Sequence, residues 1–168
     1  MDFTFHCASP LGGITLASDG EALTGLWFEG QEHFAETLDR RHIEKGLPVF
    51  DETLRWLENY FSGKAPDFTP KLAPRGTPFR RAVWEILLDI PYGRTMTYGE
   101  IAARLSERTG QARTSARAVG CAVARNPISL IIPCHRVLGS GGRLTGYAGG
   151  LERKAGLLQL EGVSGFHP

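Results

Sequence analysis

Asn126-Pro127-Ile128-Ser129-Leu130-Ile131-Ile132-Pro133-Cys134-His135-Arg136-Val137 is the stretch on which the reading of this chain turns. An apolar run bounded by two prolines ends on a thiol, followed directly by an imidazole and a guanidinium. Cysteine is a nucleophile only as its thiolate, and neighbouring positive charge or a proton acceptor raises the thiolate fraction. The run predicts an extended, buried strand that delivers Cys134 to the wall of a site. A free cysteine is often inert packing, but the flanking charges and the glycines downstream point to chemistry.

In an extended run successive side chains face opposite ways, so Cys134 and His135 would not touch directly. His135 then acts through one bridging water, with a carboxylate orienting its other nitrogen. Glu152 and Glu161 are the candidates downstream. Such a relay is needed because a thiol with an ordinary pKa of about 8.5 is mostly protonated at neutral pH. Gly139-Ser140-Gly141-Gly142 and Gly146-Tyr147-Ala148-Gly149-Gly150 follow. No strand–helix–strand pattern surrounds these glycines, which argues against a dinucleotide loop. They suit close approach of backbone to a flat ligand, with Tyr147 offering a face for stacking a base.

Working outward, Thr77-Pro78 opens a helix whose apolar face is Phe79, Val83, Ile86, Leu87 and Ile90, stopped at Pro91-Tyr92-Gly93. Thr97-Tyr98-Gly99-Glu100 has capping-box spacing and begins a second helix. Arg108 to Thr114 reads as a polar turn, and Ser115 to Arg125 as a third helix ended by Asn126-Pro127. The last two helices, with Arg117 and Arg125 on the second, are compatible with helix-turn-helix. Upstream, Phe3–Cys7, Ile14–Ser18 and Ala22–Phe28 read as strands. Gln31–Arg40 and Asp51–Phe61 have a helical pattern, and the proline-dense stretch Lys64–Pro78 reads as a linker between domains 1–75 and 76–168.

The chain has 168 residues and a net charge of +1 that conceals a polarity. Residues 1–74 carry six Lys/Arg against twelve Asp/Glu, whereas residues 75–168 carry thirteen against six, all but one of the thirteen being arginine. Arginine suits phosphate and base-edge contacts, so the second half is the expected docking surface for a polyanion. Three scattered cysteines (Cys7, Cys121, Cys134) without a C-x-x-C pair argue against a disulfide framework or a cysteine-based zinc site. No apolar run reaches membrane-spanning length and the amino-terminal residues lack a secretory pattern, so a cytoplasmic protein with a free thiol is expected.

Pro133-Cys134-His135-Arg136-Val137, preceded by Ala116-Arg117-Ala118-Val119-Gly120 and Asn126-Pro127 and followed by Gly146-Tyr147 and Gly149-Gly150-Leu151, closely resembles the O6-alkylguanine-DNA alkyltransferases. The similarity runs in continuous order over roughly residues 76–162. It implies an α+β protein, with a small ribonuclease H-like amino-terminal domain and a mainly helical, winged helix-turn-helix-like carboxy-terminal domain. It implies that Cys134 takes the alkyl group from O6 of a guanine flipped out of double-stranded DNA, once per molecule and without a cofactor or metal. O4-alkylthymine is a further possible substrate. On the same resemblance His135 is the water-mediated base and Glu161 its orienting carboxylate. Asn126 sits at the turn before the active-site segment, and Tyr98 protonates the departing guanine and rotates its phosphate. Arg117 fills the gap in the base stack, with Ala118 and Arg125 on the same DNA-binding helix. Tyr147, Val137, Ala148 and Lys154 belong to the substrate pocket. A monomer is expected.

Two departures stand out. The turn Ser106–Thr114 is longer than in compact members, and Ala148 stands where some members carry a hydroxyl residue. His6, Cys7, His33 and His42 do not reproduce the zinc set of some relatives. Cys134 argues against a damage-binding relative that lacks the acceptor. The adjacency of His135 argues against a cysteine hydrolase needing a direct Cys–His pair. A plain DNA-binding regulator gives no reason for the glycine-flanked thiol.

Overall fold

The computed structural model describes residues 1–111 and 114–168, so part of the Ser106–Thr114 turn lies outside the described residues. The chain divides into two compact units: residues 1–75 with 127–131, and residues 76–126 with 132–168.

The first unit is built on a four-stranded sheet of order β3-β2-β1-β4. Strands β1 (Asp2–Cys7), β2 (Ile14–Ser18) and β3 (Leu23–Phe28) are antiparallel neighbours, and β4 (His42–Glu44) runs parallel to β1. The free edge of β3 is covered twice, which removes an open ladder that would invite pairing with another chain. Leu23 exchanges backbone bonds with Lys71 and Ala73, each 2.8 Å. Leu26 donates to the Pro127 carbonyl of the returning chain at 2.9 Å and accepts from Ser129 N at 3.0 Å. Helix α1 (Pro48–Phe61) starts on a proline at its first turn and buries Val49, Phe50, Trp56, Leu57 and Tyr60 along one stripe. Phe50 meets Phe5 of β1 with ring centroids 6.0 Å apart.

Gln31–Arg40 is not the helix its pattern predicts but a series of turns. Polar contacts, one local and two from far along the chain, win over local periodicity here. The Gln31 side chain accepts from Phe28 N, the Asp2 carboxylate accepts from Asp39 N, and the Thr37 carbonyl accepts from Arg75. His33 and Ala35 take positive φ, which an α-helix does not allow.

The second unit packs α2 (Pro78–Leu88), α3 (Tyr98–Thr109) and α4 (Ala116–Ala124) together. Each starts where a hydroxyl caps it: Thr77 accepts from Arg80 N, Thr97 from Glu100 N, and Ser115 from Ala118 N. Helix α3 runs past the turn expected from Arg108, ending at Gly110 in the left-handed region. Trp84 of α2 is buried and donates its indole N–H to the Ala122 carbonyl of α4 at 2.9 Å. Gly76 leaves room for that ring, since an added Cβ would lie 2.4 Å from it. Two short parallel strands, β5 (Met96–Thr97) and β6 (Val137–Leu138), precede α5 (Leu151–Leu160). The carboxy-terminal residues pair back onto the glycine loop, with Leu144 N bonded to His167 O at 2.7 Å and His167 N to Gly142 O at 3.0 Å. Among the described residues no helix is long and apolar enough to cross a membrane.

Candidate active site

The segment before the thiol is not the extended strand its composition suggests. Pro127 and Pro133 have no N–H to give a ladder, and the only strand-like pairing among the described residues is the single bridge of Ile128 to Leu26. Two tight turns follow instead. Ile131 N bonds to Ser129 O at 2.9 Å around Leu130, which has φ +71°. Cys134 N bonds to Ile132 O at 2.8 Å around Pro133, with φ −81° and ψ 67°. The first has the i-to-i+2 bond and positive φ of the rare γ-turn, the second matches its common inverse. Cys134–Arg136 then form one 3-10 turn. At three residues per turn the three side chains fan out in separate directions, so the thiol faces one set of partners while the imidazole and guanidinium face another.

Cys134 is 5 % exposed. Burial pushes its thiol pKa up, against hydrogen bonds from Asn126 and Tyr147 and the nearby charge of Lys154. The resting protein therefore holds a thiol, in surroundings already supplied with groups that favour the anion. Asn126, at the end of α4, is itself fixed by donating to the Ile132 carbonyl at 2.8 Å. Lys154 of α5 is fully buried and donates to the Thr145 and Gly146 carbonyls at 2.7 and 3.3 Å. Burial lowers its pKa to about 8, an effect that an ionised Cys134 opposes. Tyr98, at the first turn of α3, has its phenol pushed up by burial and, more weakly, by Cys134 once that is ionised. Gly120 of α4 lies beside the Tyr98 ring, an added Cβ falling 3.7 Å from it.

On the other side of the turn, His135 Nε2 lies 2.5 Å from Glu161 Oε2, both side chains being buried. Of the two carboxylates considered, Glu152 sits on an exposed face of α5 and Glu161 at its carboxy-terminal cap. Burial alone would raise the Glu161 pKa. The hydrogen bonds and charges of His135 and Arg136 outweigh it and hold the group at about 2. Burial lowers the His135 pKa, only partly offset by Glu161. A neutral imidazole facing an ionised carboxylate carries its proton on that nitrogen, because a carboxylate only accepts. Nδ1 is therefore the basic nitrogen.

The other residues singled out from sequence fall in three places. Tyr147 and Ala148 are half-buried in the glycine loop, while Val137 is fully buried and paired to Met96 through the β5–β6 ladder. Arg117 is exposed on α4, with Ala118 and Arg125 half-buried on the same helix. A groove of about 560 Å³ beside them is lined by Gly99, Ala102, Ala103, Ser106, Thr114, Ser115 and Ala116. Two members of the carboxylate site were not found by sequence reasoning, Arg136 as a Glu161 partner and the Gly93 N–H, which bonds Glu161 Oε1 at 2.9 Å. The position of Arg136 beside the thiol suggested an effect on sulfur, and the turn aims it elsewhere.

Residues 78–163 match the family described as 6-O-methylguanine DNA methyltransferase, DNA binding domain, and residues 5–74 its ribonuclease-like domain. A methylated-DNA–protein-cysteine methyltransferase of Methanosarcina acetivorans is 49 % identical over 92 % of this chain and 94 % of its own length. One from Haemophilus influenzae is 44 % identical over 96 % and 86 %. The crystal structure of the Mycobacterium tuberculosis O6-methylguanine methyltransferase superposes with a TM-score of 0.82 at 42 % identity, covering 96 % of this chain and 93 % of that one. A second structure of that protein, in complex with DNA, gives 0.80 at 43 % identity over 95 % and 91 %. Match by match over both units, the chain belongs to the O6-methylguanine DNA methyltransferase family.

Proposed function

We propose that this protein repairs alkylated double-stranded DNA by direct reversal, moving the alkyl group from O6 of guanine to Cys134. The observation that carries the reading is the convergence on one buried thiol of Asn126, Tyr147 and Lys154, next in the chain to an imidazole with an ionised carboxylate behind it. The alkyl carbon gains a bond to Sγ as its bond to O6 breaks. The thiol proton passes through a bridging water to His135 Nδ1, and the imidazolium is balanced by Glu161. The departing guanine takes a proton from the Tyr98 phenol, which is restored from the imidazolium, so the proton lost by sulfur ends on the base.

The base has to leave the duplex first, at a cost of a few kcal/mol for unstacking and unpairing. Arg117, exposed on α4, offsets part of this by filling the vacated stack, with Ala118 and Arg125 on the same helix face-to-groove. Tyr147, Val137 and Ala148 wall the base pocket. The product is a thioether with no carbonyl for water to attack, so Cys134 is consumed and each molecule acts once. In this reading residues 76–168 bind DNA and carry the chemistry, and residues 1–75 serve as scaffold. The protein acts as a monomer, in a reducing cytoplasm that keeps the thiol free.

The test is transfer of labelled methyl from alkylated duplex to protein. Wild type takes up one label per molecule and Cys134→Ala takes up none. Turnover beyond one equivalent, with the thiol recovered free, overturns the reading.

A further inference from the structure

Arg136 makes more contacts around Glu161 than a residue that merely fills space. Its Nε donates to Glu161 Oε1 at 2.8 Å, its Nη1 donates to the Ile90 carbonyl at 2.7 Å, and its guanidinium lies 5.7 Å from the centre of the Tyr92 ring. The Gly93 N–H donates to the same Oε1 at 2.9 Å. One carboxylate oxygen thus takes two donors from the Arg136–Gly93 side, and the other oxygen is turned to His135 Nε2 at 2.5 Å. Ile90, Tyr92 and Gly93 lie close together in the segment that leaves α2. That segment anchors the guanidinium at Ile90 and the carboxylate at Gly93.

We infer that Arg136 is a positioning residue for alkyl transfer: held by the segment 90–93, it fixes the ionisation and rotation of Glu161, and through Glu161 the Nε2–H tautomer of His135. The inference rests on the proposed reaction and adds to it the residue that sets the direction of the relay. The physical case is that a carboxylate with both oxygens committed cannot rotate. With Oε1 taken by fixed donors, only Oε2 faces the imidazole, so the ring proton stays on Nε2 and Nδ1 stays basic. The fixed positive charge also keeps the proton from moving on to Glu161, so it stays on the imidazole until it is passed on to Tyr98. Lysine in place of arginine retains the charge but not the fork that reaches Glu161 and Ile90 together.

The charged and titratable groups around His135 are Glu161, Arg136 and Lys154, with Cys134 one residue before it. Arg136 lowers the proton affinity of both His135 and Glu161. Its removal therefore moves the acid limb of the transfer rate to higher pH.

Two measurements test this. In wild type, 15N spectra of the histidines at neutral pH place His135 in the neutral Nε2–H form; an Nδ1–H form overturns the inference without any variant. In single-turnover transfer, Arg136→Met slows the reaction about 10- to 100-fold, a part of the 10²–10⁴ that a positioned base contributes. It also shifts the acid limb upward and mixes the His135 tautomers. Arg136→Lys recovers the position of the limb and part of the rate. A folded Arg136→Met protein that is slow but keeps the wild-type limb and tautomer shows a structural role only, and overturns the inference. Should wild type itself accept no label, the proposed reaction fails, and the tautomer of His135 still decides the role of Arg136.

Discussion

Asp2 and Arg75 are joined by two parallel hydrogen bonds, Nη1 to Oδ2 at 2.7 Å and Nη2 to Oδ1 at 2.8 Å, across 73 positions of sequence. The pair closes the first unit, because Arg75 also reaches the Thr37 carbonyl and Asp2 also accepts from Asp39 N. Arg75 holds the Asp2 pKa below its ordinary value, more than offsetting the effect of burial. A depressed carboxyl stabilises the fold at pH above its unfolded pKa of about 3.9 and loses that contribution as pH falls through the folded value. Asp2→Ala is expected to cost about 1–2 kcal/mol at neutral pH, discounted because Arg75 is partly exposed. The difference from wild type should shrink below about pH 3.9, where wild type begins to lose the same contribution. Urea midpoints at pH 7 and pH 3 check both statements.

The three thiols should separate by reactivity. Cys121 is exposed, Cys7 half-buried and Cys134 buried with its pKa raised. Iodoacetamide on the native protein at pH 7 is expected to label Cys121 first and Cys134 last, with Cys134 labelling accelerating as pH rises. Peptide mass spectrometry over time reads the order. Fast labelling of Cys134 at pH 7 would mean the thiolate is already formed in the resting protein.

Glu161→Gln should damage stability and transfer together. It leaves the Arg136 guanidinium buried without its anion, which costs about 3–5 kcal/mol when one partner of a buried pair is removed. It also removes the group that balances the imidazolium, for a loss on the order of 10²-fold in single-turnover rate. Because Glu161 is held at about 2, its contribution is complete above about pH 4.5 and is lost as pH falls toward 2. Thermal melts across that range should show the wild-type advantage over the variant narrowing with acid.

Arg117→Ala should weaken binding to undamaged duplex about equally for all sequences if the side chain contacts phosphate, and reduce the salt slope by about one. On damaged duplex the loss should be larger, since the gap left by the flipped base is then unfilled. Fluorescence anisotropy over a salt series with matched duplexes separates the two effects.

Much of the second unit was legible because its signals are local. Thr77-Pro78, Thr97-x-x-Glu100 and Ser115 each cap a helix within three residues of themselves. What was missed depends on partners far along the chain. The turns at 31–40 exist because Asp2 and Arg75 reach them, and β4 forms by lying beside β1. In the candidate site, chemistry alone left Glu152 and Glu161 as equals, and family resemblance favoured Glu161. The physical reason lies in α5, which leaves Glu152 on an exposed face and brings Glu161 round to the imidazole. Arg136 was misread for a different reason. An extended chain alternates its side chains, and a 3-10 turn distributes them in three directions.

Leu130 leaves a protein engineer no easy substitution. Glycine would relax its φ of +71° but would empty a completely buried site, at a cost of a few kcal/mol by comparison with other large-to-small core changes. Any other branched or bulky residue would inherit the same backbone penalty. Directed libraries aimed at new alkyl groups are best built around the glycine loop, leaving this corner as it is.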